Sequence, residues 1–233
     1  MCTVKTSVVV IALLTVAGVA SANDSKACVE AALKEQWTKA LSPCTAAAKR
    51  GDTTAQLVLG WMYDKGDGVA QDYAQAVRWF TLAAEQGRAA AQFVLGVMYY
   101  EGQGVAQDYA QAVRWYKLAA GQGLADAQNN LGLMYSKGRG VAQDYAQAVR
   151  WYTLAAAQGF VGARHNLGLM YYEGTGVAQD YVRAHMWFNL ASVSGDVDSI
   201  KNRDLIAARM TREQIAQAQQ MARDCAARKY KGC

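Results

Sequence analysis

The chain is poor in the groups most enzymes rely on. Its 233 residues hold two histidines, His165 and His185, and neither has a cysteine nearby in sequence. H-E-x-x-H, paired-cysteine zinc spacing and the P-loop are all missing. No serine is followed by lysine three positions later, so the S-x-x-K of serine β-lactamases is missing too. Acidic residues number 19, and most Asp residues fall where a helix cap is wanted. These absences argue against catalysis and against a metal or cofactor. The net charge of +5 is scattered rather than gathered into one basic stripe, so a nucleic-acid partner is not expected. The basic tail (Arg223, Arg228, Lys229, Lys231) suits the negative end of a helix dipole.

Long apolar runs are equally scarce. The single one, Val8 to Val19, stands behind Lys5 and ahead of Ala20-Ser21-Ala22. A basic n-region, an apolar stretch and small residues at the end make residues 1–22 a predicted signal peptide. The run falls short of the ~20 residues a membrane span needs. Cleavage after Ala22 removes only Lys5 among charged groups, which lowers the charge from +5 to +4 and leaves no integral membrane segment. A periplasmic or secreted protein of the Gram-negative type is expected.

What the chain has in abundance is itself. GVAQDYAQAVRW occupies 68–79 and returns unchanged at 104–115 and 140–151, with an eroded copy, GVAQDYVRAHMW, from 176. Aligning the copies gives four 36-residue units, 55–90, 91–126, 127–162 and 163–198, with no insertions. In the first, Ala55, Leu59, Met62 and Tyr63 fall at i, i+4, i+7 and i+8, one face of a first helix, helix A. Gly60 costs that helix about 1 kcal/mol relative to alanine. Its recurrence at 96, 132 and 168 predicts a neighbouring helix in close approach. Gly66 and Gly68 end helix A. Asp72 and Gln75 then match a capping box, repeated at Asp108/Gln111 and Asp144/Gln147. Helix B follows, with Tyr73, Ala76, Val77, Phe80, Ala83 and Ala84 apolar and Gly87 as its left-handed stop. His185 takes the Val77 position in the fourth unit, which predicts a buried or half-buried structural role. A single pair of helices cannot bury its own face, so the units must stack into an all-α solenoid of helix-turn-helix repeats.

The pattern A-x-x-x-L-G-x-M-Y, then G-x-G-V-x-Q-D-Y-x-x-A-x-x-W-[FY]-x-L-A-A-x-Q-G, resembles the Sel-one-like repeat, a relative of the tetratricopeptide repeat, over residues 55–198. That resemblance implies a right-handed α-α superhelix and a non-catalytic scaffold for protein–protein interaction. The ends are consistent with it. Residues 23–54 read as a degenerate first helix pair, with Trp37 and Gly51 at the Tyr73 and Gly87 positions. Residues 199–233 read as capping helices, with Arg203-Asp204 in place of Leu-Gly and a capping box at Thr211/Gln214. Four cysteines outside the signal segment suggest disulfides in an exported protein. Three pairings are possible; a solenoid, which separates the chain ends, makes Cys28–Cys44 with Cys225–Cys233 the workable set. Some secreted, cysteine-rich relatives are associated with penicillin binding or β-lactamase activity. Their hallmark disulfide in every repeat is missing here, so a β-lactam or cell-wall hydrolase is the alternative reading. A secreted factor contacting host proteins is another.

Helix B barely varies among the copies, whereas helix A varies at chosen positions: Leu57, Val58, Trp61 and Asp64, then Phe93, Val94, Val97 and Tyr100, then Asn129, Asn130, Leu133 and Ser136, then His165, Asn166, Leu169 and Tyr172. The i, i+1, i+4, i+7 spacing predicts that they lie opposite the packing stripe. By resemblance, helix A lines a concave surface, which makes Trp61, Phe93, Tyr100, Asn129, Asn130, His165, Asn166 and Tyr172 the candidate contacts for a protein or peptide. Asn130 and Asn166, one period apart, are the leading pair: an amide side chain can both donate to and accept from an extended backbone. Arg78, Arg114 and Arg150 are expected on a solvated outer face.

Overall fold

Asp72 starts a helix because its carboxylate accepts the otherwise unpartnered N–H of Gln75 at 3.0 Å. Asp108, Asp144 and Asp180 repeat this with Gln111, Gln147 and Arg183. The reciprocal arm expected of Gln75 and its equivalents does not form, and the reason is local. The Asp72 N–H already donates to the Tyr63 carbonyl of the preceding helix, and Asp108, Asp144 and Asp180 do the same to Tyr99, Tyr135 and Tyr171. The Thr211 N–H makes no such backbone bond, and there both arms close: its hydroxyl accepts from Gln214 N–H, and its N–H donates to Gln214 Oε1 at 2.9 Å.

The computed structural model describes residues 22–230 and 232–233, and its regular structure is all helical. The expected signal segment lies, apart from its last residue, outside the described residues. The helices are α1 (Ala22–Leu33), α2 (Trp37–Lys49), α3 (Thr53–Lys65), α4 (Tyr73–Glu85), α5 (Ala89–Glu101), α6 (Tyr109–Gly121), α7 (Ala125–Lys137), α8 (Tyr145–Ala157), α9 (Val161–Glu173), α10 (Tyr181–Ser192), α11 (Val197–Ala207) and α12 (Arg212–Ala227). They fall into two compact units, divided between Leu118 and Ala119.

In the first unit, α1 and α2 are joined by the Cys28–Cys44 disulfide, and both sulfur-bearing residues are fully buried. Their core continues through Ala55, Val58, Leu59 and Met62 of α3. A second cluster gathers Leu57, Phe80 and Ala83 with Ala91, Leu95 and Met98. In the second unit, Ala148, Tyr152, Leu167, Met170 and Trp187 share a core with Ala222 and Cys225 of α12. The Cys225–Cys233 disulfide closes that end. Arg78, Arg114 and Arg150 are exposed, as expected of an outer face.

The helix pair of each of the four repeats closes by the same device. A Cβ placed on Gly60 would stand 2.5 Å from the Phe80 ring, on Gly96 2.5 Å from Tyr116, on Gly132 2.7 Å from Tyr152 and on Gly168 2.6 Å from Phe188. The glycine expected to permit close approach is therefore a notch for one aromatic ring of helix B. The turn is closed just as regularly. Gly66 ends α3 at φ 78°, and the Gln71 side-chain amide donates to the Asp64 carbonyl at 2.8 Å. Gln107, Gln143 and Gln179 repeat that bond to Tyr100, Ser136 and Tyr172. Gly68 is needed twice over: its φ is positive, and a Cβ would lie 2.7 Å from the backbone of Trp37.

One junction device is not visible in the hydrophobic pattern. Gln56, Gln92 and Gln128 are buried polar residues at the start of a helix A, and each donates to a carbonyl ending the preceding helix B: Ala48, Ala84 and Ala120, at 3.0–3.2 Å. Each of these carbonyls also accepts the N–H of the glycine three residues on (Gly51, Gly87 and Gly123), so the glutamine adds a second donor that ties one helix end to the next. In the fourth repeat Arg164 takes this place, 4% exposed. It donates to the Ala156 and Leu190 carbonyls, and its guanidinium carbon lies 3.8 Å from the centroid of Tyr230 in the disulfide-closed tail.

His185 is 3% exposed, and its Nδ1 has no partner among the described residues. Burial, aided by the Arg203 charge and opposed by Asp204, pushes its pKa below the ordinary 6.5. The unfolded chain therefore takes up this proton near pH 6.5, while the fold resists it until a lower pH. Stability falls as the pH drops below about 6.5 and levels off once the folded value is passed. A His185→Val variant, carrying the residue of the first repeat, is expected to lose that part of the fall. Urea midpoints of both proteins between pH 7.5 and 5 measure it.

Candidate functional site

Helix A of a repeat lies between its own helix B and the helix B before it, so more than one of its faces is covered. Leu57, Val58, Asp64 and Val94, expected opposite the packing stripe, are buried for this reason. Trp61 is half-buried and meets Phe80 edge-on at 5.4 Å, with its indole nitrogen closed off from solvent. Phe93 lies 6.0 Å from Tyr116, and Tyr100 5.3 Å from Tyr109. In the first unit these ring contacts each fall within one repeat, and Trp61 and Phe93 also pack against a cluster drawn from both repeats.

In the second unit, three of the candidates are joined. Asn166 Nδ2 of α9 donates to Asn129 Oδ1 of α7 at 3.2 Å, and Asn129 Nδ2 donates to Asn130 Oδ1 at 3.4 Å. All three are half-buried. The relay leaves one acceptor, Asn166 Oδ1, and one donor, Asn130 Nδ2, without a partner among the described residues. Reversing every amide would exchange the two ends and still leave one of each. A peptide group offers the complementary pair.

His165, the neighbour of Asn166, is turned to another task. Its Nδ1 lies 2.8 Å from Ser199 Oγ and 3.4 Å from Asp196 Oδ2, and its ring meets Phe188 edge-on at 5.5 Å. Asp196 caps α11 by accepting the Ser199 N–H at 2.9 Å. Burial raises the Asp196 carboxyl pKa, but the Ser199 hydrogen bonds and His165 outweigh it and hold the group below the usual range. The three residues carry the names of a hydrolytic triad without its geometry. Ser199 is fully buried, and one ring nitrogen faces both partners. They form a helix junction. Tyr172 stacks on Tyr181 at 5.7 Å, and its hydroxyl accepts from Arg209 at 3.2 Å. Among the described residues no group of three or more His, Cys, Asp or Glu is placed to hold a metal, and no helix is long and apolar enough to cross a membrane.

Stacked helix pairs with one shared turn and one shared notch define a helical-repeat protein. The chain belongs to the Sel1 repeat family, whose model matches residues 53–87, 89–124, 125–160 and 161–196, together more than half its length. Proteins of this family generally mediate protein–protein interaction and are typically non-catalytic scaffolds. Among solved structures, the chain is similar to a protective antigen of uropathogenic Escherichia coli displaying an SLR fold, at 48% identity and a TM-score of 0.67. That match covers 68% of this chain and 34% of the antigen, so the chain spans about a third of that relative's length. It is also similar to a Sel1 repeat protein of Oxalobacter formigenes, at 31% identity and a TM-score of 0.69, over 85% of this chain and 74% of the other. No curated protein sequence matches it significantly.

Proposed function

We propose that this chain is an exported, non-catalytic scaffold that binds a protein or peptide through the helix-A faces of its repeats, with Asn130 and Asn166 as the principal contacts. The open donor and acceptor at the two ends of the Asn166–Asn129–Asn130 relay carry the reading. Three amides already hydrogen-bonded to one another are pre-positioned, so less side-chain freedom is lost when a backbone docks. Export is supported by the signal-like segment at residues 1–22 and by two disulfides, which persist in oxidising compartments. The likeness to a protective antigen favours exposure to a host as a second possibility. Recovery of the mature chain from culture supernatant rather than periplasm would select it.

Replacing Asn130 and Asn166 together with alanine is expected to weaken partner capture roughly tenfold or more, as two backbone hydrogen bonds are lost. The helical circular-dichroism signal should stay unchanged. Quantitative mass spectrometry of proteins retained from periplasmic extract by the wild-type and variant chains checks this. Equal retention would refute the amide relay as the contact.

A further inference from the structure

The helix-A face of α9 continues beyond Asn166 into a feature that the amide relay does not use. Leu169, one turn further along α9, borders a shallow open depression between α9 and α11. Its floor is apolar, made by Leu169 with the buried Phe188 and Ile206. Its lip is formed by Tyr172 and by Leu205, which is 53% exposed. The polar rim holds two groups only, the exposed carboxylate of Glu173 and the amide of Asn202, which has no partner among the described residues. Thr175 Oγ1 approaches Glu173 at 3.4 Å, a weak contact that leaves the carboxylate open to an incoming cation. Arg209, which is not among the lining residues, donates to the Tyr172 hydroxyl at 3.2 Å.

We infer that this depression receives an aliphatic side chain of a bound peptide, and that Glu173 selects a lysine or arginine beside it. The inference rests on the peptide-binding reading above and extends it to sequence preference. Leu205 is the expected anchor. A leucine left half in water at the edge of a buried cluster gains most from being covered, and an aliphatic side chain laid between Leu169 and Leu205 covers it. Asn202 is placed to meet the peptide backbone beside that side chain, with one donor and one acceptor to offer. Glu173 supplies the charge complementarity: an acidic residue at the same place would meet a like charge, which costs affinity and suppresses wrong partners. On α9, Asn166, Leu169 and Glu173 fall at i, i+3 and i+7, one side of the helix, so the backbone contact and the selective contact belong to one strip.

The test uses an array of capped octapeptides in a Ser/Ala/Gly background. One leucine and one neighbouring Lys, Gln or Glu are moved through every position, and binding to the full chain is read by fluorescence polarisation. Peptides with leucine beside lysine are expected to bind best. Loss of the leucine should weaken them about tenfold or more, and Glu in place of Lys by about two- to fivefold. The deciding measurement is Glu173→Lys, a change at an exposed position that spares the core: preference should swap from lysine to glutamate. Leu205→Ser should weaken all the peptides while the thermal transition stays in place. Peptides that bind wild type and Glu173→Lys alike, but lose affinity in the Asn130→Ala/Asn166→Ala chain, overturn this inference and leave the peptide-binding reading standing. Peptide binding that none of these substitutions changes overturns both.

Discussion

Replacing Phe80 with alanine is expected to destabilise the first unit by about 3–5 kcal/mol, the range for deleting a buried phenylalanine. Phe80 is fully buried, its ring fills the notch at Gly60, and Trp61 stands against it edge-on. The cavity would therefore have glycine backbone on one side and an unsupported indole on the other. The more telling result concerns Gly60 itself. In the wild-type chain Gly60→Ala brings a Cβ 2.5 Å from the ring and should cost about 1–3 kcal/mol as overpacking. In the Phe80→Ala chain the ring is gone, and the same substitution should stabilise by about 1 kcal/mol through helix propensity. A change of sign between the two backgrounds, followed by tryptophan fluorescence in urea, would measure the coupling directly.

Arg164→Ala is the second large effect, expected at about 2–4 kcal/mol. The guanidinium is the donor to two buried carbonyls, Ala156 and Leu190, and the platform beneath Tyr230. Truncation takes the side-chain donor from the Leu190 carbonyl, costing about 1–3 kcal/mol, and empties the space against Tyr230, whereas the Ala156 carbonyl keeps the Gly159 N–H. Arg164→Gln should recover part of the loss, because Gln56, Gln92 and Gln128 make the equivalent bond to Ala48, Ala84 and Ala120. What glutamine cannot recover is the contact with Leu190 and the tail. Chemical denaturation of the three proteins, with the disulfides intact, gives the order wild type, Arg164→Gln, Arg164→Ala.

These two sites mark the limits of legibility. The Gly60 notch could be read from the sequence, because a glycine recurring inside a helical pattern has a propensity cost that only close packing offsets. The Asp caps and turn glycines were equally readable, since each acts through its own backbone or the next few residues. Gln56 and its equivalents were not. They count as polar in any hydrophobic pattern, and their partner is a carbonyl eight residues earlier in a different helix. The second arm of the capping box failed for a related reason: whether Gln75 is needed depends on Tyr63, across the turn. The candidate site was legible in its residue types but not in its faces. A helix packed on two sides has no single apolar stripe, so Leu57 and Asn130 could not be told apart by spacing. Only contact with α9 shows that Asn129 holds Asn166, and only α11 shows that His165 is already occupied.

The junction glutamine carries a further consequence. Every boundary from Gln56 to Gln128 uses the same donor and the same class of acceptor, beside a string that is identical in three copies. Loss or gain of 36 residues between two of those strings recreates a junction that is already satisfied, with its notch, caps and turn intact. Recombination within the coding repeats can therefore lengthen or shorten the array without creating a misfit. The terminus held by Arg164 and Tyr230 has no such glutamine, so it is the part that an added or lost 36 residues would not recreate.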